Sequence, residues 1–148
     1  MVQFSTKNFK ELDTKELHDV FALRSEVFVV EQMCIYQDID GKDTDAFHVL
    51  GHLENEIIAY ARIVNRGVSY PDYIAIGRIV VAKQKRGQQI GHDLVTFCLE
   101  QVKKIFPEQK IKISAQAHLE QFYNKHGFEK MGAVYLEDGI PHIAMTVK

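Results

Sequence analysis

Apolar positions along this chain change their spacing several times, and each change marks an element. Leu17, Val20, Phe21, Val27 and Phe28 recur at helical spacing, and Arg24 is the one polar member of that stripe. Asp13 opens the run, and Glu16 three residues later completes a capping-box pattern. Val2 to Phe9, before it, reads as a short edge strand. From Glu31 to Asp45 the periodicity is lost, which predicts a long loop or a broken short helix. Loops of that length in a compact domain are often functional.

Strands follow at Phe47 to Leu53 and Ile57 to Val64, with Glu54-Asn55-Glu56 as a hairpin link. A further strand over about 73–82 has a fully apolar centre, Ile79-Val80-Val81, as suits the middle of a sheet. A polar turn, Lys83 to Gln89, leads into a helix from about Ile90 to Phe106. Ile90, Leu94, Phe97, Cys98 and Ile105 share one face of it, and Pro107 stops it. Lys110 to Ser114 alternates as a short strand, and Leu119, Phe122 and Tyr123 mark a short helix that Gly127 ends. Phe128 to Tyr135 and Ile140 to Val147 are the last strands, joined by the turn Glu137-Asp138-Gly139. The order β-α-β-β-β-α-β-α-β-β predicts a mixed sheet with interspersed helices, in the α/β to α+β range.

Composition narrows this picture. A chain of 148 residues, 46% hydrophobic and without repeats or linkers, fits one domain over 1–148. A formal net charge of -2 argues against a nucleic-acid partner, which usually needs a concentrated basic field. The start, MVQFSTKNFKEL, lacks the apolar run of a secretory signal, and no apolar stretch reaches membrane-span length. Cys34 and Cys98 are too few and too far apart for a disulfide framework or zinc site. A cytoplasmic protein with no membrane partner is the expectation. No metal is expected either: His48 and His52 lie far apart along a strand, and DIDGKDTD lacks the spacing of an EF-hand loop.

The segment IVVAKQKRGQQIG, from Ile79 to Gly91, carries the strongest chemical signal: a buried strand, a basic glycine-containing turn, then a helix start. Helix N-termini offer unpaired N–H groups and partial positive charge to phosphate. Gly87 and Gly91 allow close backbone approach, and Arg86 adds donors and charge. The pattern alone fits an anion site or a turn whose glycines serve geometry.

Arg86, Gly87, Gln88, Gln89, Ile90 and Gly91 resemble the pyrophosphate-binding motif of the GCN5-related N-acetyltransferase (GNAT) superfamily, with Gln89 where a middle glycine is usual. AQAHLEQFYNKHGF, from Ala115 to Phe128, is similar to that superfamily's later motif, a Tyr on a short helix ending in Gly-Phe. VFVVEQMCIYQDIDGKD, AYARI, IGRIVV, AQAHL and EDGIPHI, in that order, resemble the ElaA-type acetyltransferases. The resemblance implies a mostly antiparallel mixed sheet with helices on both faces and acetyl-CoA in a splayed-strand cleft. It implies backbone contacts from Ile79, Val80 and Val81 to the pantetheine arm, phosphate contacts from residues 86–91, and Gln116 near the cofactor. Tyr123 becomes the acid for the leaving thiolate. Glu31, His118 and His142 are open alternatives for the base, as is a water chain. Asp38 and Asp40, with His118, are candidates for the acceptor site, as an acidic loop drawing in a cation; a merely solvated loop is equally open.

The function so implied is acetyl transfer from acetyl-CoA to a small-molecule or peptide amine. The alternative is an acyl-CoA sensor that keeps the fold without catalysis. Cys34 as an acyl carrier is a minor reading, because this superfamily transfers directly. Exposed sheet edges are compatible with a homodimer.

Overall fold

In a computed structural model covering residues 1–148, the periodicities resolve into seven strands and three α-helices in the expected order. They are β1 (Gln3–Asn8), α1 (Thr14–Arg24), β2 (Phe47–Leu53), β3 (Glu56–Val64), β4 (Ile74–Val81), α2 (Ile90–Ile105), β5 (Ile111–Gln116), α3 (Glu120–Asn124), β6 (Glu129–Glu137) and β7 (Ile140–Val147). The strands form one sheet in the order β1-β2-β3-β4-β5-β7-β6, antiparallel throughout except between β4 and β5. Asp13 caps α1, and its capping box with Glu16 is formed. Glu54 and Asn55 both take positive φ, as a tight hairpin demands. The first helix runs on through Val27 and Phe28 as its stripe predicts, but beyond Arg24 it takes a π-helical form, Ser25–Glu31. The aperiodic stretch after it is loop with a single 3-10 turn, Asp43–Asp45.

Helix α2 lies on one face of the sheet and buries Ile90, Leu94, Val95, Cys98 and Val102 against Ile63, Ile74, Ile76, Ile111, Ile113 and Met145. Each such side chain contributes about 1.5–3 kcal/mol by leaving water. Burial also raises the Cys98 thiol to about 12, so it packs as an apolar group. Helix α1 covers the opposite face, where Val20, Val27, Leu50, Tyr60 and Val80 form a second cluster.

Strand β4 controls the shape of the sheet. It pairs with β5 only at Ile74↔Ile111 and Ala75↔Lys112. On its other edge Tyr60 pairs with Val80 and Arg62 with Gly77, so Arg78 and Ile79 together oppose Ala61 in a bulge. Arg78 takes φ 50 there. A bulge bends its own strand and increases its twist. Past Ala75 the two strands part.

The stripe of α1 carries a residue that an apolar face rejects unless it is paired. Arg24 is fully buried. Its Nε donates to Asp38 Oδ2 at 2.9 Å and its Nη1 to Asp43 Oδ1 at 2.7 Å. Arg62 on β3 reaches Asp40 at 2.8 Å and Asp43 at 3.1 Å. Arg78, aimed by the bulge, reaches Asp38 at 2.8 Å and Asp40 at 3.3 Å. Three arginines and three aspartates thus close into one network that binds the 32–45 loop to α1, β3 and β4. His48 supports it from below. Its Nε2 is 2.9 Å from the Asp43 carbonyl, which can only accept, so Nε2–H donates. Nδ1 then accepts from the Tyr60 hydroxyl at 2.6 Å. Burial lowers the His48 pKa, which keeps this neutral tautomer.

Burial alone would raise the Asp43 pKa, but the hydrogen bonds and charges of Arg24 and Arg62 outweigh it and the net direction is down. Asp40 is likewise lowered: burial opposes, and Arg62, the Lys42 N–H and Arg78 prevail. A folded-state pKa below the unfolded value gives stability that is present above the unfolded pKa and lost as pH falls. Chemical denaturation is therefore expected to show stability dropping as pH falls below about 5. Asp43→Asn is expected to cost about 3–5 kcal/mol at neutral pH, by leaving Arg24 partly unpaired, and to flatten that acid dependence.

Candidate active site

Where β4 and β5 part, a cavity of about 980 Å³ opens. Ile76 to Val81 of β4 form one wall, and Ile113 to Gln116 of β5 form the other. The Ala82 N–H donates back to Ile58 on β3 at 2.8 Å. Because successive residues of a strand alternate, the N–H and C=O of Val81 face the opening. The Val81 carbonyl indeed accepts from Arg86 Nε at 3.1 Å.

The turn closing one end carries Gly87 at φ 82 and Gln89 at φ 67, both left-handed. Gln89 is the N-cap of α2, and no side chain caps this end, so the first-turn N–H groups of the helix face outward. Gly91 packs under the Phe122 ring, where a Cβ would meet Cζ at 3.4 Å. Gln89 thus adopts the conformation for which the motif ordinarily uses glycine. The expected basic contribution of Arg86 needs correction. Its guanidinium is turned back onto Glu31, with Nη1 to Oε2 at 2.6 Å and Nη2 to Oε1 at 3.0 Å. Backbone N–H groups, rather than a free arginine, are what residues 87–91 offer an anion.

That pairing also removes Glu31 from the candidate bases. The Arg86 hydrogen bonds, against some burial, lower its pKa, and a carboxylate so held is a poor proton acceptor. Asp38 and Asp40 are corrected for a similar reason. The acidic loop has no free field to draw in a cation, because Arg24, Arg62 and Arg78 match both carboxylates; Asp38 is only 8% exposed. Their position still bears on the site, since the loop they anchor brings Cys34, Tyr36, Asp40 and Lys42 to the cavity wall.

Tyr123, His142, His118 and Gln116 all line the cavity. Tyr123 is 6% exposed and packs edge-on against Phe122 and Phe128. Thr6 Oγ1 is the sole sealed side-chain polar atom without a partner, so the Tyr123 hydroxyl, which has no protein partner, opens to the cavity. Burial raises its pKa. His142, on β7 beside Gln116 of β5, donates from Nδ1 to the Ile140 carbonyl at 2.7 Å. Nε2 is thereby the lone-pair nitrogen, and it lies 3.6 Å from Glu137 Oε2. His118 is exposed at the rim and fixed by no hydrogen bond.

Three site residues escaped the sequence reading. Ser114 of β5 donates to Glu137 Oε1 at 3.0 Å and bonds the Tyr135 hydroxyl. Glu137 sits in the EDGIPHI segment, whose turn composition concealed that its exposed carboxylate borders the cavity.

The chain matches the family model described as an acetyltransferase (GNAT) domain over residues 11–148. It belongs to the GNAT acetyltransferase family. It is 41% identical to protein ElaA of Escherichia coli over 99% of this chain and 96% of that one. Among solved structures it is similar to E. coli ElaA, with TM-score 0.94, 39% identity and full coverage of both chains. It is also similar to an acyl-CoA N-acyltransferase from Pseudomonas aeruginosa, with TM-score 0.93, 38% identity and 99% coverage of each. Membership makes the protein an acyltransferase. No helix is long and apolar enough to cross a membrane.

A left-handed residue with a Cβ costs roughly 1–2 kcal/mol. Gln89→Gly is accordingly expected to hold or slightly raise the melting temperature, whereas Gln89→Val lowers it by the equivalent of about 1–3 kcal/mol. Thermal unfolding of the two variants side by side checks the backbone assignment.

Proposed function

We propose that this protein transfers the acetyl group of acetyl-CoA directly to an amine. The observation that carries this reading is the convergence of the Tyr123 hydroxyl and His142 Nε2 on one cavity that begins at the anion-type turn 87–91. The fold is shared with a GNAT acetyltransferase from Elizabethkingia anophelis with acetyl-CoA bound, at TM-score 0.70.

The residues fit such a ligand. Gly87 has nothing within 4 Å of a would-be Cβ, so a phosphate can lie against the backbone there. The uncapped start of α2 supplies donors and a favourable dipole. The β4 edge left free by β5 gives the pantetheine arm a strand to lie against. Acetyl-CoA, when bound, supplies a thioester carbonyl for the amine to attack. His142 Nε2 takes the proton from the acceptor ammonium, and the Glu137 carboxylate at 3.6 Å steadies the resulting imidazolium. The Val81 N–H is a fixed donor for the charge developing on the carbonyl oxygen. Tyr123, kept protonated by its burial, donates to the departing thiolate.

A thermal-shift series with acetyl-CoA, CoA, ATP and NAD tests the ligand. At about 100 times its dissociation constant a ligand adds about 2.7 kcal/mol of stability, and only the two CoA species are expected to do so. Tyr123→Phe is expected to keep that shift while losing at least about tenfold in turnover, or about 1.4 kcal/mol of barrier. Full activity in Tyr123→Phe defeats the acid role; absence of any CoA shift defeats the whole reading.

A further inference from the structure

The ionic groups around the cavity do not all find partners within the protein, and those left over differ in sign and in place. Of its arginines, Arg62 and Arg78 are matched by Asp40 and its neighbours, and Arg86 by Glu31. Lys42 is the lysine on the lining, and its Nζ meets no carboxylate; it rests on Ser69 Oγ at 3.0 Å. Among the lining acids, Glu31 and Asp40 are taken up by arginine. Glu137 has only His142 Nε2 as a basic neighbour, beside the Ser114 hydroxyl that donates to it, and Asp138 has no cation within reach. The cavity therefore presents an unmatched carboxylate beside the candidate base and an unmatched ammonium on the 32–45 loop.

Tyr70 adjoins both groups. It follows Ser69 in the chain and lines the cavity. Its phenol is pushed up to about 12, by burial first and then by the nearby Tyr135 and Glu137. Lys112 Nζ sits 4.5 Å from the Tyr70 ring centroid, a second ammonium beside the phenol. Lys42 itself is held in place, because its loop is clamped by the arginine–aspartate network and its backbone N–H donates to Asp40 Oδ1 at 3.1 Å. A cation and an anion on the lining of one cavity, neither paired with the other, complement a ligand carrying both charges.

From this we infer that the acceptor is a small amine that also bears an anionic group, with its ammonium at Glu137 and His142 and its carboxylate or similar anion at Lys42. The inference rests on the acetyl-transfer reading for which end reacts, but not for binding. A simple diamine leaves Lys42 facing a like charge, and a neutral amine leaves it unanswered.

Calorimetric titration of the CoA-saturated protein tests this, with β-alanine, γ-aminobutyrate and ε-aminocaproate as probes, each beside its carboxamide. At least one amino acid is expected to bind tenfold or more tighter than its carboxamide. Lys42→Gln is expected to abolish that preference while leaving carboxamide and CoA affinity unchanged. Glu137→Gln is expected to weaken both members of the pair. Equal binding of acid and amide, a preference that survives Lys42→Gln, or no binding by any probe overturns the inference. Acetylation assays on the same pairs separate the two ideas: preferential binding without acetyl transfer leaves this inference standing and defeats the proposed reaction.

Discussion

A fully buried guanidinium holds this site together. Arg24 sits in an apolar helical stripe, where an unpaired charge is untenable, and the 32–45 loop supplies the matching carboxylates. Because Asp38 also binds Arg78, and Asp40 and Asp43 bind Arg62, the same loop is fastened to β3 and to the bulge of β4. One charge constraint thus sets three features together: the end of the first helix, the cavity wall and the strand that turns away from β5. A loop without regular structure becomes a fixed surface, which a site that must orient two substrates requires.

The bulge has two consequences. It aims Arg78 into the network, and it bends β4 so that only two residue pairs join it to β5. Backbone groups that a continuous sheet would consume are left to face a cavity. At one end of that cavity the helix start of α2 offers uncapped N–H groups; toward the other, His142, Glu137 and Ser114 form a polar floor on β5, β6 and β7. The proposed cofactor and acceptor sites therefore share one opening, and Tyr123 lines it.

Much of this was legible in the sequence. Periodicity and turn composition together gave all seven strands and three helices, although β6 is exposed along its whole length. The strand–turn–helix around Gly87 was legible because the turn's backbone demands show in residue choice. The side-chain roles were less so. Arg24 stood out as the polar member of its stripe, yet nothing in linear order says that Asp38 and Asp43 are its partners. The aspartates therefore looked like free charge, when the structure neutralises them. Glu31 and Arg86 are far apart in sequence but joined in space, which turned a candidate base and a candidate phosphate ligand into a mutual pair. Glu137 was hidden because a turn composition describes the backbone and not the direction of a carboxylate.

The central claim is that the gap between β4 and β5, together with the turn at 87–91, receives a CoA ligand. Amide hydrogen exchange with and without CoA tests it most directly. The account expects new protection at Val81 and across residues 87–91, with the 32–45 backbone already slow to exchange and little changed. Protection confined to other parts of the sheet, such as the β1 or β6 edges, would contradict it.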